Sequence, residues 1–280
     1  MKLSKQSNFP HVTKSAARVL WVAVMTAGLG LFWHQAALSS SNHANPDVPR
    51  VSSLLADLSS HDPAVVSRAI SKLKQIIIPP ADALPHLIVC ATNPSEFVRL
   101  EAINAIGAYG SEAQDAVPIL TKALKDPDPL VREASALALL AVGSAAKSQA
   151  SGLVALLADD HRNVRDAAIT ALAGFGQEVI PELMKVLQSG DPVASAAASE
   201  ALARIGAPAV APLVGVMSNL GQGSDNAAKA LQLIGKPAVE PLIKMLSHPN
   251  VAVSKKSEEI LIAIGPPATE GLIKALRSKP

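Results

Sequence analysis

The stretch VRDAAITALAGFGQEVIPELMKVL, residues 164–187, decides the fold. In its first half apolar residues recur at spacings of three and four, which predicts an amphipathic helix with one buried face. Gly176 follows the last of them, and a glycine at that point can take the left-handed conformation that ends a helix. The second half repeats the apolar spacing and carries Pro181 in its first turn, where a missing N–H costs little. The stretch therefore predicts two helices joined by a turn.

Near-copies of this helix pair fill the chain from about residue 60 to its end. The pair Val-Arg recurs every 33 residues, at 98–99, 131–132 and 164–165. The turn glycine recurs with it, and its spacing then falls to 30, 29 and 30. These glycines are Gly110, Gly143, Gly176, Gly206, Gly235 and Gly265. One helix pair is too small to bury its apolar faces alone, so stacked neighbours must complete a continuous core. We therefore predict an all-α solenoid, a superhelix of about seven helix pairs over residues 48–280, beginning with an unpaired helix.

The repeated residues, V-R-x-x-A-x-x-A-L-x-x-F-G followed by V-I-P-x-L, resemble HEAT repeats, in particular the short bacterial type called PBS-lyase HEAT-like. The resemblance covers roughly residues 61–280 and implies an α-solenoid that binds other proteins. Two branches of this family are enzymes. Deoxyhypusine hydroxylases hold di-iron with His-Glu pairs, and this chain has no His-Glu dipeptide. A lyase-like or chaperone-type role on a protein-bound prosthetic group stays open as the alternative function.

The N-terminal 50 residues have the pattern of a membrane-targeting segment. Residues 1–18 carry four basic side chains and no acid, and residues 19–38 are almost entirely apolar. As a helix, about 20 apolar residues span the roughly 30 Å of a bilayer core. The basic flank predicts a cytoplasmic N-terminus and exported repeats. We expect a basic tail (1–18), a transmembrane anchor or a signal peptide (19–38), a linker (39–47) and the solenoid (48–280).

This N-terminal pattern predicts a single-pass protein of the bacterial inner membrane with periplasmic repeats. The alternative is a secreted or periplasmic protein, released by signal cleavage, although Ala37-Leu38-Ser39 is a poor cleavage site.

Composition argues against a nucleic-acid partner. The first 50 residues hold five of the 25 basic and one of the 23 acidic residues, which leaves 20 basic and 22 acidic in the repeats. A nucleic-acid-binding domain would carry a basic excess. Aromatic residues make up only 2% of the chain, so side chains on which bases could stack are scarce.

Two repeated series are candidate sites. By the HEAT resemblance, Arg99, Arg132 and Arg165 form a structural ladder with aspartates of the inter-repeat loops, for which Asp126, Asp128, Asp159 and Asp160 are available. The second series, on the second helices and opposite the core, is Lys122, Lys185, Lys244 and Lys274, with Ala155 and Gly215 in the gaps. In related solenoids the second helices line the concave face. The lysine series predicts a binding surface for an acidic partner; the alternative is an ordinary solvated face.

Nothing in the sequence predicts catalysis. Cys90 is the single cysteine and lies in an apolar run, which predicts a buried thiol without a disulfide or a cysteine metal site. His61, His161 and His248 fall in separate inter-repeat loops, without the helical pairing of a zinc site. No nucleophile elbow or phosphate-binding loop is present as a motif. We therefore predict no catalytic, cofactor or metal residues, and a scaffold that holds protein partners, such as subunits of an envelope complex.

Overall fold

A computed structural model describes residues 51–76 and 80–277 of the chain, and the described residues form one compact unit that begins at Val51. All regular secondary structure within these ranges is helical, without a strand. The predicted basic tail, transmembrane or signal segment and linker lie outside the described residues, as do residues 48–50 of the predicted solenoid.

Fifteen α-helices in the described ranges alternate in the order that the repeats predict, an unpaired helix followed by seven pairs. The unpaired helix is α1 (Val51–Leu58). The pairs are α2 (Pro63–Leu73) and α3 (Ala83–Cys90), α4 (Glu96–Ala108) and α5 (Val117–Ala123), α6 (Pro129–Val142) and α7 (Ala150–Ala155), α8 (Arg162–Phe175) and α9 (Ile180–Leu187), α10 (Pro192–Ile205) and α11 (Val210–Ser218), α12 (Ser224–Ile234) and α13 (Lys236–Met245), and α14 (Val251–Ile264) and α15 (Pro266–Arg277). This order confirms the predicted all-α repeat solenoid.

Several first helices begin at an aspartate that caps them. The Asp128 backbone is extended, and its Oδ1 accepts hydrogen bonds from the backbone N–H groups of Leu130 (2.8 Å) and Val131 (3.2 Å). Asp191 caps α10 through two backbone N–H groups in the same way, and Asp62 caps α2 through the N–H of Ala64. Each is followed by proline, whose fixed φ suits the first helical position. These caps fix where the inter-repeat loop ends and the next repeat begins.

Each first helix from α6 onward ends at one of the predicted turn glycines. In Gly143, Gly176, Gly206, Gly235 and Gly265, φ lies between 73° and 82°, a region that side chains avoid. Their ψ values are strongly negative, as at Gly176 (−147°), so the backbone is the mirror image of an extended strand and not the predicted left-handed helix. This conformation arises because the chain must reverse at once into the second half of the repeat.

Short 3₁₀ segments explain why the repeat period falls. Seven residues of 3₁₀ helix follow the first helix in the second and third pairs (Gly110–Ala116 and Gly143–Gln149), four in the next (Gly176–Val179) and three after that (Ala207–Ala209). In the sixth pair, α13 begins directly after Gly235. The period therefore shortens inside the turn, whereas the long first helices keep their length in most repeats.

The core runs through the stack as a single cluster. First helices face one another through small side chains, and a Cβ added to Gly107 would lie 3.4 Å from the Ala138 Cβ. Five of the second helices, α5, α7, α9, α11 and α13, each contribute a fully buried leucine: Leu120, Leu153, Leu183, Leu213 and Leu242. Close packing of alanine and leucine explains why the described residues need few aromatic side chains.

One described stretch, Pro129–Ala158, is apolar and long enough to cross a membrane by length and composition. In the structure it consists of α6, a 3₁₀ turn, α7 and a second short 3₁₀ segment, and many of its apolar residues, such as Val131, Leu139 and Leu153, belong to the common core. The last pair is less covered: Ile262 of α14 and Leu276 of α15 are each 71% exposed.

Candidate functional site

Arg132 ties together the loops on either side of its repeat. Its Nε and Nη2 donate to the two carboxylate oxygens of Asp159 at 2.7 and 3.0 Å. Its Nη1 donates backwards to the carbonyl oxygens of Asp126 (2.8 Å) and Pro127 (3.0 Å). The side chains of Arg132 and Asp159 are only 14% and 9% exposed. One guanidinium therefore fixes the beginning of α6 to both neighbouring loops.

Arg99 repeats this geometry one unit earlier. Its Nε and Nη2 each lie 2.8 Å from a carboxylate oxygen of Asp126, and its Nη1 lies 3.0 Å from the carbonyl oxygens of Asn93 and Pro94. The hydrogen bond to Asp126 is the largest cause that raises the Arg99 pKa, and the bond to Asp159 does the same for the pKa of Arg132. Both guanidinium groups are therefore held in the charged, bidentate state.

Asp159 shows the opposite shift. Burial alone would raise the pKa of its carboxyl, but hydrogen bonds from Arg132 and from the His161 backbone N–H outweigh burial and lower it. The structure thus separates the aspartates that the resemblance made available. Asp126 and Asp159, two residues before the helix cap, hold the arginines, whereas Asp128 caps α6 and Asp160 contributes its carbonyl oxygen.

Arg165 occupies the third ladder position but pairs with no carboxylate within the described residues. Its Nη1 donates to the carbonyl oxygens of Asp159 (2.7 Å) and Asp160 (3.1 Å), as in the other two units. The residue two before the next cap, where an aspartate would complete the ladder, is Ser189. The alignment of loops by their caps was the sequence signal for this gap, and the arginine spacing alone did not give it.

A serine series continues the same helix position beyond Arg165, and sequence reasoning missed it. Ser195, Ser224 and Ser254 each lie eleven residues before a turn glycine, as the three arginines do. Their hydroxyls donate to the backbone carbonyls of Leu187 (2.6 Å), Met217 (3.2 Å) and Leu246 (2.8 Å), at the ends of the preceding second helices. The later repeats thus replace a charged clamp with a short neutral one, and their common distance from the glycines was the available signal.

The four predicted lysines all lie on the exposed side of second helices, two residues after a core leucine position. Ala155 and Gly215 fill the gaps, and Val89, which is 70% exposed, occupies the same position in α3. We call these seven positions, Val89, Lys122, Ala155, Lys185, Gly215, Lys244 and Lys274, the lysine row.

Charges near the lysine row change along the chain. Lys274 Nζ lies 3.4 Å from Glu240 Oε1, in a pair that is about as exposed as a free side chain (80% and 73%). Lys122, Lys185 and Lys244 form no ion pair with other described residues. Exposed pairs of this kind contribute little to folding. Among the four lysines of the row, Lys274 is therefore the one that pairs with an acidic side chain of the described chain, and this pair is exposed.

The Cys90 thiol and the Tyr109 hydroxyl each contact a backbone carbonyl oxygen in the interior of the stack. Cys90 is 4% exposed, its Sγ lies 3.5 Å from the Leu58 carbonyl oxygen, and burial raises the pKa of its thiol. Tyr109 donates from its hydroxyl to the Pro80 carbonyl oxygen at 2.9 Å. Burial, with a smaller contribution from the charge of Glu112, raises the Tyr109 pKa to about 12. Within residues 51–76 and 80–277, His, Cys, Asp and Glu side chains form no group of three or more that could hold a metal ion.

Comparison with known proteins places these repeats in a family. The family model described as HEAT repeats matches residues 51–140 and 150–219, which is more than half of the chain. No curated protein matches the chain.

Solved structures with similar folds include engineered and designed proteins. One engineered protein is 26% identical, with a TM-score of 0.43, and the match covers 78% of this chain and 98% of that one. A second is 25% identical, with a TM-score of 0.46 and coverage of 76% and 68%. A designed armadillo repeat protein in complex with the peptide (KR)4 is 22% identical, with a TM-score of 0.44 and coverage of 78% and 100%.

Proposed function

The chain belongs to the HEAT repeat family, and we propose that it is a non-catalytic scaffold that holds an acidic segment of a partner protein along the lysine row. A stack of repeats presents a long surface that is formed before the partner arrives, so little chain ordering opposes binding. The observation that supports this proposal is the lysine row itself: exposed ammonium groups recur at one helix position, and the two gaps in the series are filled by the small residues Ala155 and Gly215.

The shape and charge of the row suit an extended acidic chain. Small residues at the intervening positions, Ala155 and Gly215, let a partner backbone approach the helices between the lysines. Lysine ammonium groups act as point charges on flexible stems, so they favour acidic character without demanding one exact geometry. We propose that the row lies on the concave face, as second helices do in related solenoids, and that binding weakens as salt is added.

We also propose that the solenoid is anchored to the inner membrane through residues 19–38 and faces the periplasm. The basic side chains before this segment and the absence of acid in residues 1–18 support that orientation. In this setting the partner is a protein of the cell envelope. A cysteine placed in the linker at Ser40 tests the orientation, because a membrane-impermeant maleimide should label it in intact spheroplasts.

The binding proposal is tested by charge reversal along the row. The variant with Lys122, Lys185, Lys244 and Lys274 all changed to Glu should lose the partners that co-purify with the full chain from detergent-solubilised membranes. A matched control reverses four exposed lysines that lie outside the row: Lys72, Lys229, Lys236 and Lys255. Both variants change net charge equally. Equal recovery of partners with wild type and the row variant would contradict the proposal, and so would equal loss in both variants.

A further inference from the structure

Arg165 is held in the same orientation as two arginines that bind carboxylates. In all three, Nη1 donates to the carbonyl oxygens six and five residues earlier. The six distances lie between 2.7 and 3.1 Å, and those of Arg165 are 2.7 and 3.1 Å. Because the guanidinium is planar and rigid, two bonds at Nη1 also fix the direction of its Nε–Nη2 edge. The Arg165 side chain is therefore positioned before any ligand arrives.

The Nε–Nη2 edge of Arg165 lacks the acceptor that the other two have. In Arg99 and Arg132 this edge grips a carboxylate at 2.7 to 3.0 Å. No residue of the described chain accepts a hydrogen bond from it in Arg165. Burying part of an arginine without using its best binding edge forgoes a charge-assisted pair, so the open edge is the unusual feature of this rung.

The missing acceptor has an identifiable place in the sequence. In the two preceding loops the residue two before the cap is Asp126 or Asp159, and each accepts a backbone N–H at 3.0 or 2.9 Å besides holding its arginine. Ser189 stands at that place before α10 and retains only a long contact with the Asp191 N–H, at 3.4 Å. Asp191 does not substitute, because its Oδ1 caps α10 through Val193 and Ala194.

We propose that Arg165 is a binding site for a carboxylate supplied by another molecule, which completes the third rung where Ser189 leaves it open. The two finished rungs show the ligand chemistry: one planar carboxylate, bound through both oxygens. A phosphate would bring more negative charge beside Asp160 and Asp191, which flank the site in sequence, so a singly charged carboxylate fits better. The site deepens the scaffold role proposed above, since a partner protein would supply the carboxylate, from an Asp or Glu side chain or from its C-terminus.

The site is tested by NMR of the arginine Nε–H groups in the labelled full chain, purified in detergent, with acetate as the minimal probe. The variant Arg165→Lys identifies the signal. Acetate should move the Arg165 Nε–H signal saturably toward the positions of Arg99 and Arg132, and chloride at equal ionic strength should not. In Ser189→Asp the Arg165 Nε–H signal should lie near the positions of the Arg99 and Arg132 signals even without acetate. Its response to acetate should fall at least tenfold, and the midpoint of thermal unfolding should rise.

A control and two peptides complete the test. Ser189→Asn, which has the shape of aspartate without its charge, should keep the acetate response within twofold of wild type. Two peptides identify the source of the carboxylate: one has internal glutamates and an amidated C-terminus, and the other has uncharged side chains and a free C-terminal carboxylate. The peptide that binds more tightly shows whether a side chain or a C-terminus is preferred. An Arg165 signal that acetate does not move, or moves equally in wild type and Ser189→Asp, would overturn the proposal. The partner-capture experiment is independent of this outcome, because it probes the lysine row.

Discussion

Arg132 and Asp159 show how one residue pair can organise three consecutive segments of the chain. The guanidinium holds the preceding loop through two carbonyls and the following loop through a carboxylate, and both side chains are largely buried. Removing the arginine would leave Asp159 almost fully buried without its main partner. An unpaired buried carboxylate costs far more than the loss of an exposed ion pair.

We therefore expect Arg132→Gln to lower the free energy of unfolding by about 2 to 3 kcal/mol, measured by urea denaturation at pH 7. Arg162 offers a matched control, because it is 83% exposed and pairs with Asp166 only at 3.6 Å. Arg162→Gln should change stability by less than about 0.5 kcal/mol. Similar losses in both variants would mean that the ladder contributes no more than a surface pair.

The same pair makes stability depend on pH. Because the Asp159 pKa is lowered in the folded chain from its ordinary value of 3.8, its contribution is complete above that value and is lost as the pH falls further. Asp159→Asn should therefore be less stable than wild type at pH 7, but lose less stability between pH 5 and pH 2. Parallel stability curves for the two proteins over this range would exclude the ion pair as a source of acid sensitivity.

Tyr109 is a direct spectroscopic test of the packing between its repeat and the loop before α3. It is the only tyrosine in the chain, so its ionisation can be followed by ultraviolet absorbance. The folded chain should titrate at about 12, because burial raises the pKa. The unfolded chain should titrate near the ordinary value of 10. Since the folded pKa is raised, this group's contribution to stability is complete below pH 10 and is lost as the pH rises towards 12. A folded-state midpoint near 10 would show that the Tyr109 hydroxyl is not buried in this packing.

At the scale of the element, α12 is the exceptional helix of the stack. It has 11 residues, whereas the neighbouring first helices α10 and α14 have 14, and it begins after Gly223 and not after a capping side chain. The φ of Gly223 is +83°, and a Cβ there would lie 2.5 Å from the Leu187 carbonyl oxygen. This close approach lets the preceding loop lie against the end of α9, where Gln222 and Gly190 also meet.

Gly223→Ala should lower the free energy of unfolding by about 2 kcal/mol or more, because it combines an unfavourable φ with a backbone clash. Gly215→Ala is the matched control: Gly215 lies inside α11, and a Cβ there meets nothing within 4 Å. That substitution should raise stability by about 0.5 to 1 kcal/mol through helix propensity. Both are measured by urea denaturation, and a neutral Gly223→Ala would show that this junction can relax.

Comparison of elements shows what a periodic sequence can predict. The spacing of apolar residues and turn glycines predicted the seven pairs and the unpaired helix, because those features repeat within each unit. Which aspartate caps and which pairs could not be predicted, since Asp126 and Asp128 differ only in their distance from the helix start. The open edge of Arg165 depends on a loop in the next repeat, so the sequence reveals it only after the loops are aligned by their helix caps.

At the scale of the whole molecule, each repeat is stabilised by its two neighbours, so terminal pairs should open first. Arg99 and Arg132 tie three successive inter-repeat loops, whereas Ile273 and Leu276 of α15 are 45% and 71% exposed. In hydrogen exchange followed by mass spectrometry, amides of α6 and α8 should exchange at least tenfold more slowly than those of α15. Uniform exchange from α4 to α15 would mean that the stack unfolds as one cooperative unit.

The position of Cys90 makes its thiol a reporter of whether α1 is docked on the solenoid. The thiol is covered by the unpaired first helix, and burial keeps it protonated and poorly nucleophilic. In an oxidising compartment such a chain stays free of cross-links between molecules while α1 remains docked. Once α1 detaches, the Cys90 thiols of two chains can oxidise to a disulfide. The fraction of covalent dimer on a non-reducing gel would therefore measure the fraction of molecules in which α1 has detached.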